Sequence, residues 1–160
     1  MPRRPPRLPP LMAEFDDEER EAVLAANRAF YRAFAERDVE AMDQIWAASG
    51  AVVCLHPGQA PLHGRAEIMA SWRGNLRHPE SPKVRCIGES VIGRPGLAIV
   101  DCREILPEGQ LMATNTFARQ SDGWRMIGHL SGPVPPIEAA RPVASTSAST
   151  TAPRDRRKLH

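Results

Sequence analysis

Three polar side chains, Asp101, Asn115 and His129, fall on three successive predicted strands within residues 97–131. A carboxylate, an amide and an imidazole together can accept a proton, donate one and hydrogen-bond a developing oxyanion. The side chains around them are largely apolar, as on the floor of a pocket that binds a small molecule. The alternative is an outer sheet face with scattered polar residues in water. The pattern alone leaves both interpretations open.

Two turns set the register that brings these side chains together. Residues 106–110 and 120–124 each suit a three-residue hairpin loop, a type I turn closed by glycine. That loop length places Asn115 opposite Asp101 on one side and opposite His129 on the other. Because side chains alternate between the faces of a strand, one face is predicted to carry Ile99, Asp101, Arg103, Ala113, Asn115, Phe117, Ile127 and His129. The other face is predicted to carry Val100, Cys102, Thr114, Thr116 and Met126.

Helical patterns precede these strands. Asp16 and Glu19 have the spacing of a capping box, and the spacing predicts a first helix over residues 16–36. One face of this helix is predicted to carry a single stripe, Val23, Asn27, Phe30, Tyr31 and Phe34, in which Asn27 is the polar member. A second helix is predicted from Asp38 to Trp46, and a third over residues 64–76. Short strands are predicted over residues 51–55 and 84–91. Helices followed by a run of antiparallel strands indicate an α+β fold with the helices on one face of a curved sheet.

Charge divides the 160 residues into a folded domain and two ends. Residues 1–11 and residues 138–160 each contribute +3, so residues 12–137 carry −4 although the whole chain is +2. The basic ends therefore give no reason to expect a nucleic-acid surface on the domain. The proline- and arginine-rich arm over 1–11 and the Ser-, Thr- and Ala-rich tail over 138–160 are predicted to be disordered. Residues 12–137 are predicted to be a single domain.

Three scattered cysteines, Cys54, Cys86 and Cys102, suit buried thiols in a reducing compartment, so a cytoplasmic location is predicted. No apolar run has the length of a membrane helix, and the amino terminus lacks the apolar core of a signal peptide. No pair of histidines or acids has the helical spacing of metal ligands. We therefore expect no metal, no cofactor, no membrane association and no nucleic-acid partner.

Three segments carry a family resemblance: AANRAFYRAFAERDVEAMDQIW, HPGQAPLHGRAEIMASW and TNTFARQSDGWRMIGHLSG. They resemble the NTF2-like superfamily, in particular its SnoaL-like and ketosteroid-isomerase-like members, and the last segment is also similar to the association domain of calmodulin-dependent kinases. The resemblance covers residues 16–134. It implies a cone in which three helices close over a strongly curved, mainly antiparallel sheet around an internal cavity.

The resemblance also implies where a site would lie. In steroid isomerases a general-base carboxylate precedes a proline, a second acid lies two residues before a phenylalanine, and a tyrosine lies on the first helix. The matching positions here are His56, Asn115 and Phe30, with Tyr31 one residue away. All three working positions differ from the steroid isomerases, so their reaction is not expected.

The substituted residues keep useful chemistry. His56 titrates near neutrality and is a candidate base, and Asn115 is a candidate oxyanion donor. His129 and Asp101 would add a second base and an acid, about 10 Å apart across the strand that carries Asn115. The predicted walls of the pocket are Phe30, Tyr31, Trp46, Trp72 and Phe117.

Each of these residues also has a structural interpretation. His56 could cap its strand, His129 could be a hydrogen-bonded core histidine, and Asp101 could form an ion pair at a rim. Two functions follow: an acid–base isomerase or cyclase acting on a small, largely apolar carbonyl compound, or a non-catalytic ligand-binding or dimerisation module. In either case we expect a homodimer formed through the face of the sheet that carries Val100, Cys102, Thr114, Thr116 and Met126.

Overall fold

The computed structural model describes residues 15–134. The arm over 1–11 and the tail over 138–160 lie outside the described residues, so their predicted disorder stays a prediction. The elements in chain order are α1 (Asp17–Glu36), α2 (Val39–Ile45), β1 (Val53–Leu55), β2 (Leu62–His63), α3 (Arg65–Arg77), β3 (Arg85–Arg94), β4 (Leu97–Leu106), β5 (Gly109–Gln120) and β6 (Gly123–Pro133).

The first helix begins and ends where its local sequence requires. The Asp16 carboxylate accepts the Glu19 backbone N–H at 2.9 Å, which satisfies one of the free donors of the first turn. At the other end Arg37 adopts a left-handed conformation, with φ of 56°. The predicted stripe is largely buried, and its polar member Asn27 is fully buried. The predicted extent of this helix is confirmed.

Arg37 links the end of α1 to a wall of the molecule. Its guanidinium donates to the carbonyl oxygens of His78, Pro79 and Ser81 at 2.8, 3.2 and 3.1 Å. These contacts hold the loop between α3 and β3 against the carboxyl end of α1. Within the described residues, no helix combines the length and the apolar content of a membrane span.

Six strands form one curved sheet in the order β2-β1-β6-β5-β4-β3. All neighbours are antiparallel except β1 and β6, which run parallel and pair Val53 with Gly128 and Cys54 with His129. The three helices pack on one side of this sheet, here called the inner face. The predicted α+β cone is therefore confirmed, with β2 as an additional short edge strand that the sequence did not predict.

The predicted register between β4 and β5 is wrong by one residue. Leu106 pairs with Gly109, so the loop has two residues instead of three. Gly109 opens β5 with φ of 156°, rather than closing the loop. Asn115 therefore lies opposite Val100, and Asp101 lies opposite Thr114.

The turn between β5 and β6 also has two residues, with Gln120 opposite Gly123. Here a β-bulge between Thr116 and Phe117 shifts the register by one residue further along the ladder. The bulge brings Asn115 opposite His129, as predicted. One half of the polar row is thus present and the other half is not.

The one-residue slip exchanges the faces of β4. Val100 and Cys102 were predicted on the outer face, and instead they lie fully buried in the core. Met126 on β6 was also predicted there and is also buried, because the two-residue turn after Gln120 brings it opposite Phe117. Asp101 and Arg103 point to the outer face, with Thr114 and Thr116. Because side chains alternate with period two, a single missing loop residue moves a whole strand's side chains to the opposite face.

Candidate active site

A cavity of about 290 Å³ opens at one end of the cone, between α3, the loop after it, and the inner face of β4 and β6. One group of its walls is polar: His56, Gln59, Asn75, His78, Glu80, Ser81, Glu104, His129 and Ser131. The other group is apolar: Phe34, Pro57, Trp72, Pro82, Val84, Leu106 and Leu111. A concave site that combines apolar walls with convergent polar groups is typical of small-molecule binding.

His56 lines this cavity directly after β1, and it is buried. Its Nε2 is 3.0 Å from the Ser71 hydroxyl on α3 and 3.7 Å from the Cys54 thiol. The Trp72 indole packs edge-on against the imidazole, with 4.9 Å between ring centroids. Burial lowers the pKa of His56, so the ring favours its neutral form.

His129 forms the floor of the cavity, in the middle of β6. Its Nδ1 is 2.6 Å from the Asn115 side-chain oxygen, and its ring packs 4.9 Å from that of Phe30. Burial, and to a smaller extent the nearby His56, lower the pKa of His129 to about 3. The ring is therefore neutral at neutral pH, with one nitrogen held by an amide and the other available.

Glu104 is the acid of this site. Its side chain is almost completely buried on β4, and its Oε1 lies 3.8 Å from His129 Nε2. Tyr31 donates to Oε1 at 2.9 Å and Ser131 donates to Oε2 at 2.5 Å. Burial raises the pKa of Glu104, against the smaller lowering effect of these two hydrogen bonds. Since His129 is neutral, the two groups face each other without forming an ion pair.

Asn115 and Tyr31 lie one layer behind the cavity. The Asn115 amide nitrogen donates to Asn27 Oδ1 at 2.7 Å and to the Tyr31 hydroxyl at 3.2 Å. Burial and the neighbouring Glu104 raise the pKa of Tyr31, which keeps its hydroxyl a donor. Both amide protons of Asn115 are thus used inside the protein, so the predicted oxyanion role of Asn115 is not available in this arrangement.

The sequence matches a known protein family. Residues 23–135, which are most of the chain, match the family model of the SnoaL-like domain. The chain belongs to the SnoaL-like family. The predicted resemblance to NTF2-like proteins is therefore confirmed at the level of family and fold.

Two solved structures show the same fold as this SnoaL-like domain. A proposed dehydratase of the NTF2-like family from Streptomyces avermitilis is 29% identical, with a TM-score of 0.68 over 74% of this chain and 97% of that one. A proposed association domain of calcium/calmodulin-dependent protein kinase type II from Thiobacillus denitrificans is 34% identical, with a TM-score of 0.60 over 70% and 94% of the two chains.

One curated protein also matches the SnoaL-like domain. It is the F-box protein SKIP8 of Arabidopsis thaliana, 22% identical over 112 residues. The match covers 69% of this chain and 48% of SKIP8, so the chain spans about half the length of the curated relative it matches.

The structure moves one predicted site residue out of the SnoaL-like domain's cavity altogether. Asp101 points to the outer face, where its carboxylate accepts a hydrogen bond from the Thr114 hydroxyl at 2.7 Å. The two-residue loop after Leu106 is the cause, because it places Cys102 and Glu104 inward in place of Asp101 and Arg103. Asp101 was predicted as the site's acid, and Glu104 occupies that place instead.

The aromatic residues predicted as walls divide into two groups. Trp72 lines the cavity. Phe30, Tyr31, Trp46 and Phe117 are buried in the core between the helices and the sheet, and they do not line it. Phe34 supplies a further aromatic wall, although it was predicted only as a member of the helical stripe.

Glu104 and Ser131 could have been predicted from the sequence only with the correct register of β4. Once β4 is shifted by one residue, Glu104 continues the inward row of Val100 and Cys102. A charged residue in such a row requires a partner, and Ser131 on β6 supplies one. Among residues 15–134, no group of three or more His, Cys, Asp or Glu side chains is placed to hold a metal ion.

Proposed function

We propose that this SnoaL-like domain is an acid–base enzyme that moves a proton next to the carbonyl group of a small, largely apolar compound, in an isomerisation or a cyclisation. The observation that carries the proposal is the pairing of a neutral His129 with the Glu104 carboxyl across 3.8 Å in one cavity. The two groups have their proton affinities displaced in opposite directions by burial. Such pairs mark a base and an acid.

The roles follow from these displacements. His129 Nε2 takes a proton from the carbon next to the carbonyl, while the protonated Glu104 gives its proton to the carbonyl oxygen. The substrate becomes an enol, and the protein is left with an imidazolium next to a carboxylate. That ion pair offsets the low basicity of the buried ring, because the two opposite charges form together at short range. The imidazolium then returns its proton to a different carbon, and Glu104 recovers its own proton from the enol oxygen.

The cavity favours a compact substrate. Its volume of about 290 Å³ is at the lower end of small-molecule pockets. Trp72, Phe34 and Leu111 would contact an apolar ring or chain, and Asn75 and Gln59 could orient a polar end. His56, held by the Ser71 hydroxyl, is the second candidate base.

The name of one relative also supports acid–base chemistry next to a carbonyl group. The Streptomyces avermitilis relative is named as a proposed dehydratase. Elimination of water next to a carbonyl group requires a base for the carbon-bound proton and an acid for the leaving hydroxyl. The same two side chains could serve an elimination as well as an isomerisation.

The alternative function is a non-catalytic ligand-binding or dimerisation module. The relative from Thiobacillus denitrificans favours it, since that protein is named as a proposed association domain and is the more similar in sequence of the two. In this case the cavity holds a ligand without turning it over.

Proton exchange into a ligand separates the two functions. A panel of cyclic and open-chain ketones is screened by thermal shift, and those that bind are incubated with the protein in D₂O. Nuclear magnetic resonance then follows loss of the protons next to the carbonyl. We expect catalysed exchange, and we expect His129→Gln to slow it by about a hundredfold or more.

His56→Gln compares the second candidate base, and His63→Gln, on an exposed edge strand, is the matched control. Loss of exchange in His56→Gln alone would transfer the role of base to His56. Binding of ketones without exchange in the wild type would favour the non-catalytic module.

A further inference from the structure

We infer that Glu89, Asn27 and Asn115 form a positioning chain that fixes which nitrogen of His129 carries its proton. The inference rests on the proposed function, in which the unprotonated Nε2 of His129 faces the substrate. The chain runs from the surface, through the core, to the cavity, and every link has a defined donor and acceptor.

The outer end of the chain is set by charge. Glu89 on β3 is paired with the Arg28 guanidinium at 3.1 Å, and its other oxygen is 2.8 Å from the Asn27 side-chain nitrogen. A carboxylate can only accept, so Asn27 must direct its NH₂ group toward Glu89. The Cys86 thiol, 3.8 Å from the same nitrogen, is its second acceptor. The Asn27 oxygen is therefore directed inward.

In the middle of the positioning chain, the orientation of Asn27 determines that of Asn115. Asn27 Oδ1 is 2.7 Å from the Asn115 side-chain nitrogen, so Asn115 is the donor. The second proton of that NH₂ group goes to the Tyr31 oxygen at 3.2 Å, and the Tyr31 hydroxyl itself donates to Glu104. The charge on Glu89, acting through Asn27, thus turns the NH₂ group of Asn115 away from His129.

The inner end of the chain then has one arrangement. The Asn115 oxygen faces His129 Nδ1 at 2.6 Å and can only accept. His129 must donate, so its neutral ring carries the proton on Nδ1 and an open lone pair on Nε2. Reversing either amide would place two donors or two acceptors against each other at a buried contact, first of all Asn27 Oδ1 against Glu89. Asn27, which the helical stripe marked only as a polar interruption, is therefore a positioning residue.

The acceptor at the inner end of the positioning chain is the uncharged Asn115 amide. His129 therefore differs from a histidine whose ring is held by a carboxylate. An amide orients the ring and selects the protonated nitrogen, and it stabilises an imidazolium much less than a carboxylate would. The chain therefore leaves His129 neutral and ready to accept, and the compensating negative charge comes from Glu104 only when a proton has moved.

Nitrogen resonances of the ring test the inference directly. With ¹⁵N-labelled histidine at neutral pH, a protonated and an unprotonated ring nitrogen give separate signals, and His129→Gln identifies which pair belongs to His129. We expect the wild type to show the form protonated on Nδ1. A wild-type ring protonated on Nε2 would overturn the inference.

A charge exchange at the outer end tests whether the chain is the cause. In the double variant Arg28→Glu with Glu89→Lys, position 89 becomes a donor, so we expect the amides to reverse and the His129 signals to move toward the form protonated on Nε2. The matched control exchanges Asp122 and Arg125, an exposed ion pair of 2.7 Å outside the chain, and should leave these signals unchanged.

Glu89→Ala is the second variant, in case the exchanged pair does not fold. It removes the acceptor without adding a donor, and we expect a mixture of the two ring forms. Signals identical to those of the wild type in both variants would overturn the inference. A wild-type ring protonated on Nδ1 in a protein that exchanges no ketone proton would instead leave the chain in place and refute the proposed function.

Discussion

His129 differs from a solvent-exposed histidine because aromatic rings surround it and a neutral amide holds one of its nitrogens. Phe30 and Trp72 lie 4.9 and 5.9 Å from its ring centroid, and both exclude water from the imidazole. A charged form of the ring is costly in such surroundings until a counter-charge is present. Glu104 is the group placed to supply that charge, and its own burial opposes ionisation. The two residues are therefore best understood together.

The neutral state of His129 has a measurable effect on stability. The folded protein keeps the ring unprotonated down to a pKa of about 3, whereas the unfolded chain takes up a proton near the ordinary value of 6.5. Between these values the unfolded state binds the extra proton, so stability from this group is lost as the pH falls. Relative to His129→Gln, we expect the wild type's free energy of unfolding to fall by up to about 1.4 kcal/mol per pH unit below pH 6.5.

Urea unfolding of both proteins between about pH 7 and pH 5 measures this difference. The comparison isolates His129, because the raised pKa of Glu104 acts in the opposite direction in both proteins. Parallel stability curves for the two proteins would show that the ring is not held neutral.

A pair of acid-to-amide variants separates the observed site from the predicted one. Glu104→Gln removes the cavity's acid, and we expect ketone exchange to fall by about a hundredfold or more. Asp101→Asn lies on the outer face against Thr114, and we expect exchange to stay within about twofold of the wild type. The same assay measures both, and the opposite ranking would restore Asp101 as the acid.

At the scale of elements, the helices could be predicted from neighbouring residues. Which face of the sheet each side chain occupies depended instead on the number of residues in a hairpin loop. Asp16, Asp38 and the apolar stripe of α1 act within one or two turns, so caps and helix ends could be located from neighbouring residues. The faces of β4 depend on whether one loop has two or three residues. Gly109 is compatible with a loop of two or of three residues, and the sequence does not show which length the packing of the sheet selects.

The two registers show why part of the site was nevertheless found. Both loops are one residue shorter than predicted, but the bulge at Thr116 and Phe117 restores the pairing of Asn115 with His129. The pairing of β4 with β5 contains no such bulge. Glu104 therefore faces the cavity, where Asp101 was predicted. Asn27 and Tyr31 were seen as members of a helical stripe, and their polar contacts became visible only when the helix was placed on the sheet.

Arg65 is the connection between α2 and α3, and it gives an element-scale prediction. Its guanidinium donates to the carbonyl oxygens of Asp43, Trp46 and Ala47 at 2.9, 3.0 and 3.1 Å, at and just beyond the carboxyl end of α2. It also pairs with the Asp43 carboxylate at 2.8 Å. We expect Arg65→Met to lower the free energy of unfolding by at least about 2 kcal/mol.

Arg73→Met is the matched control for this change. Arg73 also faces Asp43, but at 3.7 Å and with about half of its side chain exposed. We expect its loss to cost less than about 1 kcal/mol. Denaturant unfolding of both variants measures the two effects, and equal losses would contradict the capping role of Arg65.

At the scale of the whole molecule, the outer face of the sheet remains open in the single chain. Its exposed apolar side chains include Ile92, Met112 and Leu130. These residues replace Val100, Cys102 and Met126 as the apolar members of the predicted contact surface. An apolar sheet face of this kind favours association, so the homodimer stays a prediction, now with different residues.

Leu130→Lys tests the dimer. Its side chain lies on β6 opposite Thr114, near the middle of the outer face, and a buried lysine there would disrupt packing between two copies. We expect a dimer for the wild type and a monomer for this variant by light scattering at micromolar concentration. Ala60→Lys, in the exposed loop after β1, should remain dimeric. A monomeric wild type would contradict the prediction.

The parallel pairing of β1 with β6 has a consequence for the order in which the chain assembles. Strands β3 to β6 are joined by short turns, so their contacts close small loops early and at low entropic cost. Val53 must instead find Gly128 across most of the domain. His56 and His129, whose ring centroids lie 6.4 Å apart, meet only after that step.

Pulse-labelled hydrogen exchange during refolding should therefore protect the amides of Cys102 and Asn115 before that of Val53, and simultaneous protection would contradict this order. During synthesis β6 also leaves the ribosome after the other strands of residues 15–134, so the pairing waits for it. A partly folded chain then already has its helices and hairpins, while the two histidines are still apart. On this order, the side chains of the cavity are brought together in the last step of folding.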